Sequence, residues 1–404
     1  MIVSGLFAFL MLTGHAELLL TADSAASLAR EKNPELVAAR NVIAGAEGRA
    51  RMSGRLANPD LETEVAGGQD FEGRVSVGLT QRFPLTARLR LERELSAQEV
   101  ESAQLEILNR ERLVAISART AFYTLAATQE SLDATRRQAE LAGAFAKTLT
   151  SGVTEGFSSK LDGQQAVLAA EENRMTEESL RVEELQAGAN LCSLLGLSAD
   201  TRLSIPKALE LPRAAPTARP VGRRPDLELA ELSVSAGATD VSLAKATRWD
   251  DVGVGVFVEG ERFRDEPDGI APEALVGVRF SVPLPLWQNG SGKVAEKSAA
   301  QTRKTQQLQA LRLTVQNEAL TAHRVMTANH RAAALARDKT VSSARQLATD
   351  AEAAYGRAEV NIQTVFRARE RLAEIERSAL EARQRFFLSY SEWLGTLGEP
   401  VTQP

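Results

Sequence analysis

Apolar and polar residues follow two periods along this chain. In four short stretches the period is two. Leu61, Thr63 and Val65 alternate with Glu62, Glu64 and Ala66, and Val75, Val77 and Leu79 with Ser76, Gly78 and Thr80. Val252, Val254, Val256 and Val258 alternate with Gly253, Gly255, Phe257 and Glu259, and Val276, Val278, Phe280 and Val282 with Gly277, Arg279 and Ser281. Such alternation predicts strands that are dry on one face and wet on the other. Each stretch is roughly ten residues, the length a tilted strand needs to cross a bilayer. Trp249 precedes the third strand, Trp287 follows the fourth, and Phe83 ends the second, while Phe71 and Phe263 sit near the two hairpin turns. Rings at both ends of the strands are what a membrane girdle requires. A soluble sandwich would need a second sheet, and no other strands are predicted to form one.

Elsewhere the pattern is helical. All 14 prolines lie outside two long segments, 85–205 and 286–399. A proline inside a helix costs about 3 kcal/mol, so proline-free runs rich in Ala, Glu, Arg, Gln and Leu read as helix. Each run has one central break, at Ser151-Gly152-Val153-Thr154-Glu155-Gly156 and at Tyr355-Gly356-Arg357. Each therefore predicts two antiparallel helices about a tight tip. The first, from about 86 to 150, would be roughly 95 Å long at 1.5 Å per residue. A helix of that length must pack in a coiled-coil array.

Pro206, Pro212, Pro216 and Pro220 mark an extended linker, 206–222, between two halves, 17–205 and 223–404. Asn33-Pro34-Glu35-Leu36 aligns with Arg224-Pro225-Asp226-Leu227, and Asp60-Leu61 aligns with Asp251-Val252 at the same spacing of 191 positions. Phe83-Pro84 and Val282-Pro283 follow at 199. A spacing that changes only at loops predicts a duplicated strand–helix unit.

Four strands cannot close a barrel, because about eight is the practical minimum. An open edge in lipid leaves unpaired N–H and C=O groups, each costing several kcal/mol. Copies of the chain must therefore share one cylinder. The closure argument alone permits a dimer or more.

Composition narrows the function. The net charge of −5 is spread without a basic tract, which removes the electrostatic footprint of nucleic-acid binding. Residues 2–12 are apolar and Gly14-His15-Ala16 supplies small residues, so 1–16 reads as a signal peptide. The single cysteine, Cys192, sits in an apolar helical stretch and reads as a buried hydrophobe. His323 and His330 lie about 10 Å apart along a helix, too far to share an ion, and read as surface histidines. No catalytic, cofactor-binding or metal-binding constellation emerges, and no glycine-rich loop follows a strand. A periplasmic coiled-coil adaptor or scaffold is the alternative class. It would share the helical hairpins but not the duplicated strand pairs.

Three features resemble the TolC-type outer-membrane efflux family. They are Asn33-Pro34-Glu35-Leu36, Arg223-Arg224-Pro225-Asp226-Leu227, and the run from Val282 to Gly290 after the last strand. The resemblance spans about residues 20–398, and it extends to both the heavy-metal and multidrug branches. It implies a homotrimer whose twelve-stranded barrel sits in the outer membrane and continues into a periplasmic α-helical barrel. It also implies a periplasmic adaptor, an inner-membrane transporter, and passive conduction of drugs or metal ions rather than catalysis. Asp162 matches a tip aspartate of the family and Tyr355 a tip tyrosine. Two further acidic tip positions fall here on Thr364 and Arg367, a departure from the family's acidic ring. Asp162 and Glu155 are candidate acceptors of a periplasmic gate, with Tyr355 and Arg357 as donors and Glu359 as a neighbouring charge.

Overall fold

The computed structural model describes residues 18–67, 73–154, 159–206, 209–249, 251–265, 269–284, 287 and 289–398. Its contacts divide the chain into two compact units. One comprises 1–39, 109–224 and 314–404, and the other 40–108 and 225–313.

The first unit is helical. Leu18–Leu19 (β1) pairs in parallel with Leu203–Ser204 (β4). Ala22–Lys32 (α1) follows, opened by a capping box in which Thr21 and Ser24 bond each other's backbone N–H groups. The lower part of Arg88–Thr154 (α3) and Lys160–Leu194 (α4) form one hairpin. At the other break, Val341–Gly356 (α7) and Ile362–Leu397 (α8) form the second. Two cores hold them together. One gathers Phe122, Tyr123, Leu191, Leu195, Met326, Phe386, Phe387 and Trp393. Burying one large apolar side chain contributes about 3 kcal/mol. The second core lies near the helix tips, where Leu149, Ala166, Ala351, Ile362 and Val365 meet.

The second unit carries the sheet. Asp60–Gly67 (β2), Gly73–Phe83 (β3), Val252–Asp265 (β5) and Gly269–Ser281 (β6) pair antiparallel in the order β2-β3-β5-β6. The helices flanking it are Pro34–Met52 (α2, from residue 40), the start of α3, Pro225–Ala246 (α5) and Ser291–Leu335 (α6, to residue 313). Arg88 in the first turn of α3 bonds Asp251 at 2.5 Å and Glu92 at 2.9 Å, fixing the helix start beside the start of β5.

The predicted long helices and the two strand pairs are present among the described residues, with two additions, of which the first is the short parallel β1–β4 pair. The third long helix is interrupted by a π-helical turn at Ala336–Thr340, between α6 and α7. There the hydroxyl of Thr340 reaches back five residues to the Leu335 carbonyl, at 3.3 Å. No proline or glycine marks the spot, so sequence breakers gave no signal.

Candidate functional site: the sheet faces and the helix tips

The register sorts the sheet into two faces, because cross-strand partners project the same way. On one face Leu61, Leu79, Val256 and Val278 align in a row, and Thr63, Val77, Val258 and Val276 in the next. These rows are exposed, with Leu61 at 70% and Val276 at 76%, and so are Val65 at 77% and Phe280 at 70% in the rows beside them. A contiguous apolar face open on this scale is a contact surface rather than ordinary protein exterior.

The opposite face is polar. Its rows are Asp60, Thr80, Gly255 and Arg279; then Glu62, Gly78, Phe257 and Gly277; then Glu64, Ser76, Glu259 and Leu275. Arg279 pairs with Glu62, Arg74 with Glu259 at 3.2 Å, and Arg82 with Asp60 at 3.2 Å. The Phe257 ring covers Gly277, where an added Cβ would lie 2.4 Å from the ring, and the Arg279 guanidinium sits 5.3 Å from the ring centre. The sheet is open, with β2 at one border and β6 at the other.

Of the predicted girdle, Phe83 ends β3 opposite Val252 and is exposed, as are Trp249, three residues before β5, and Trp287, at 91%. Phe263 lies near the β5–β6 turn, with its backbone opposite Ala271. Phe71 lies outside the described residues.

The tips form a second locality. Asp162 sits in the first turn of α4, whose N-terminus is capped by Ser159 bonding the Leu161 N–H at 3.2 Å. Glu155 lies outside the described residues. Tyr355 is exposed at the end of α7. Arg357 is engaged within its own turn, donating to both carboxylate oxygens of Glu359 at 2.7 and 2.9 Å. That hydrogen bonding holds the Glu359 carboxyl below the usual carboxylate range. The turn passes through Ala358 at φ +58, a left-handed conformation that costs a residue with a Cβ about 1–2 kcal/mol. Gln363 of α8 bonds Gln165 of α4 at 2.6 Å, so the two tips adjoin.

Sequence reasoning missed two sets of residues. Asn33 donates to the Leu194 carbonyl at 3.0 Å, and Arg224 donates to Thr396 at 3.4 Å. These residues precede the two matched prolines and tie each to the end of a returning helix. Each returning helix ends on a glycine of positive φ, Gly196 at +66 and Gly398 at +70. The Leu-Gly pairs 195–196 and 397–398 were the available signal. The second set corrects the surface reading of the histidines. His330 is buried, and its Nε2 lies 2.8 Å from the Pro212 carbonyl. His323 is half-buried, with Nε2 3.1 Å from the Pro216 carbonyl. The proline-rich segment is extended as predicted, but it is docked along α6 and brings carbonyls that satisfy the imidazoles.

The arrangement of this fold is shared with solved structures. VceC, an outer membrane protein from Vibrio cholerae, is 17% identical over 93% of this chain and 96% of its own, with a TM-score of 0.74. CusC, described as forming a transmembrane channel, is 14% identical over 94% and 92%, with a TM-score of 0.77. The CmeC outer membrane channel of Campylobacter jejuni is 13% identical over 93% and 85%, at 0.74. This is the TolC-type outer-membrane channel fold. No family model and no curated protein matches the sequence.

Among the described residues no helix is long and apolar enough to cross a membrane.

Proposed function

We propose that the chain is one protomer of a homotrimeric channel in the cell outer membrane that extends into the periplasm. It conducts drugs or metal ions passively outward, with an inner-membrane transporter and a periplasmic adaptor as partners. The observation that carries this reading is the exposed apolar face on a sheet with two open borders. In lipid such borders must pair. Three copies joined border to border give twelve strands, with the face bearing Glu62, Glu64, Glu259 and Arg279 turned to the lumen. The halves 17–205 and 223–404 act as duplicated units, a reading supported by the parallel roles of Asn33 with Gly196 and of Arg224 with Gly398. Phe71, Phe83, Trp249, Phe263 and Trp287 form the interfacial girdle. Asp162, Glu155, Tyr355, Arg357 and Glu359 form the periplasmic gate.

Planar-bilayer recording tests the function. The purified protein gives discrete conductance steps, and Asp162→Ala with Arg357→Ala raises the conductance. A detergent-free monomer that gives no steps overturns the channel reading, and unchanged conductance of the double variant removes these residues from the gate.

A further inference from the structure

The apolar face of the sheet ends on a cation. Its rows climb from Phe83 and Val252, through Val65, Val75, Gly260 and Ala274, to Gly67, Gly73, Arg262 and Pro272. No charged residue stands on this face between the first of these rows and the last. Arg262 is ten positions beyond Val252 in β5, about 33 Å along a strand at about 3.3 Å per residue. A tilt of about 40° turns that length into about 25 Å of height, which matches the apolar band of an outer-membrane barrel. Arginine on the lipid side of a barrel is costly at the middle of the band and tolerated at its margin. With the Phe83–Val252 row at one margin, Arg262 falls at the other, on the side of the β5–β6 turn.

Two observations set Arg262 apart. On the wet face Arg74, Arg82 and Arg279 each pair with a carboxylate. Arg262 is exposed and has no ionic partner among the described residues. The surface beside it is also low. Gly67 and Gly73 share its row, and Gly260 and Ala274 stand in the next row toward the base. A Cβ added at Gly67 would meet nothing within 4 Å, and one at Gly260 would meet only the Val75 carbonyl oxygen, at 4.0 Å. A shallow apolar recess therefore lies one row inside the band from Arg262, with the exposed side chains of Val75, Val258 and Val276 around it.

An unpaired guanidinium above an apolar recess matches a ligand with an anionic head and a hydrocarbon tail. Guanidinium holds phosphate through two parallel charge-assisted hydrogen bonds, and the recess receives the start of an acyl chain. We propose that Arg262, Gly260 and Ala274 form a site for a phosphorylated lipid of the outer leaflet, one in each copy. The site rests on the outer-membrane reading above and names a ligand for the lipid side of the sheet.

Native mass spectrometry of the full chain released from detergent tests it, with dioleoyl phosphatidate as the probe. Arg262→Gln lowers the bound fraction about tenfold, the loss expected for one charge-assisted phosphate contact. Arg262→Lys retains more of the lipid than Arg262→Gln. Gly260→Leu, which fills the recess and leaves the charge, also lowers binding. Dioleoylglycerol has the same chains without the phosphate, and inorganic phosphate has the anion without the chains; each binds the parent more weakly than phosphatidate does. Equal binding of phosphatidate by the parent and Arg262→Gln overturns the site, and so does an equal loss in Arg74→Gln on the wet face. Inorganic phosphate that displaces phosphatidate at equal concentration overturns the lipid assignment in favour of a free anion. Conductance recorded on the same preparations separates the two readings. A conducting protein whose lipid binding ignores Arg262 loses only the lipid site, and a protein that neither conducts nor binds loses both.

Discussion

The side-chain amide of Asn33 bonds the carbonyl of Leu194, 161 positions later in the sequence. Its other atom, Oδ1, accepts from the Leu36 N–H at 3.1 Å. One residue thus caps the start of α2 and satisfies a carbonyl at the end of α4. Asn33→Ala removes both bonds and is expected to cost about 1–2 kcal/mol. Thermal unfolding followed by circular dichroism in detergent checks this. A midpoint equal to the parent's would show that the cap is dispensable.

Gly196 is held at φ +66, and a Cβ there would lie 2.3 Å from the Lys32 carbonyl oxygen. Backbone rather than a movable side chain occupies the space. Gly196→Ala is expected to cost about 2 kcal/mol or more, through strain and displacement together. Gly188→Ala, with open space at its Cβ position, serves as the comparison and is expected to stabilise the helix slightly. Equal effects from the two substitutions would contradict the close approach.

Val256 and Val278 stand side by side in the exposed apolar rows. Replacing both with arginine is expected to cost about 2–4 kcal/mol for each charge at the bilayer midplane. Glu64→Arg, on the wet face, leaves membrane insertion intact. Heat-modifiable gel mobility after folding into liposomes separates these outcomes. Insertion of the Val256→Arg/Val278→Arg variant at the parental yield would remove lipid from that face.

Cys192 is 2% exposed, and burial pushes its thiol above the ordinary range. At about pH 8, where a free thiol begins to ionise, it stays protonated and enclosed. A maleimide is therefore expected to label less than a tenth of the native protein in an hour and one thiol per chain after denaturation. Raising the pH within the native range gives little increase. Fast native labelling would mean that the helix end around Leu191 and Leu195 opens.

The strands were legible because a two-residue period fixes which side chains share a face without knowledge of the partner strand. Leu61 and Val278 fell on the same face from parity alone. The long helices were legible from the distribution of proline. What pairs with what over long distances was not. Nothing near Asn33 names Leu194, and nothing near His330 names Pro212. Both contacts exist because a returning segment happens to bring a carbonyl, and its position depends on the fold as a whole. Arg357 is an intermediate case. Its neighbour Glu359 was visible two residues away, yet the left-handed turn at Ala358 that lets both oxygens be used was not. The π-helical turn at Ala336–Thr340 was silent for a further reason, since its residues are ordinary helix formers.

The strands at the two borders of the sheet differ in length, with 8 residues in β2 and 13 in β6. Register places Gly67 and Gly73 level with Arg262 and Pro272, so the β5–β6 hairpin continues past the point where the β2–β3 pairing ends. In the closed homo-oligomeric ring proposed above, the rim is then notched, a tall tooth alternating with a short one. Whatever approaches that rim meets the β5–β6 hairpin first, which makes the strand ends at 263–265 and 269–271 the natural place to graft an epitope.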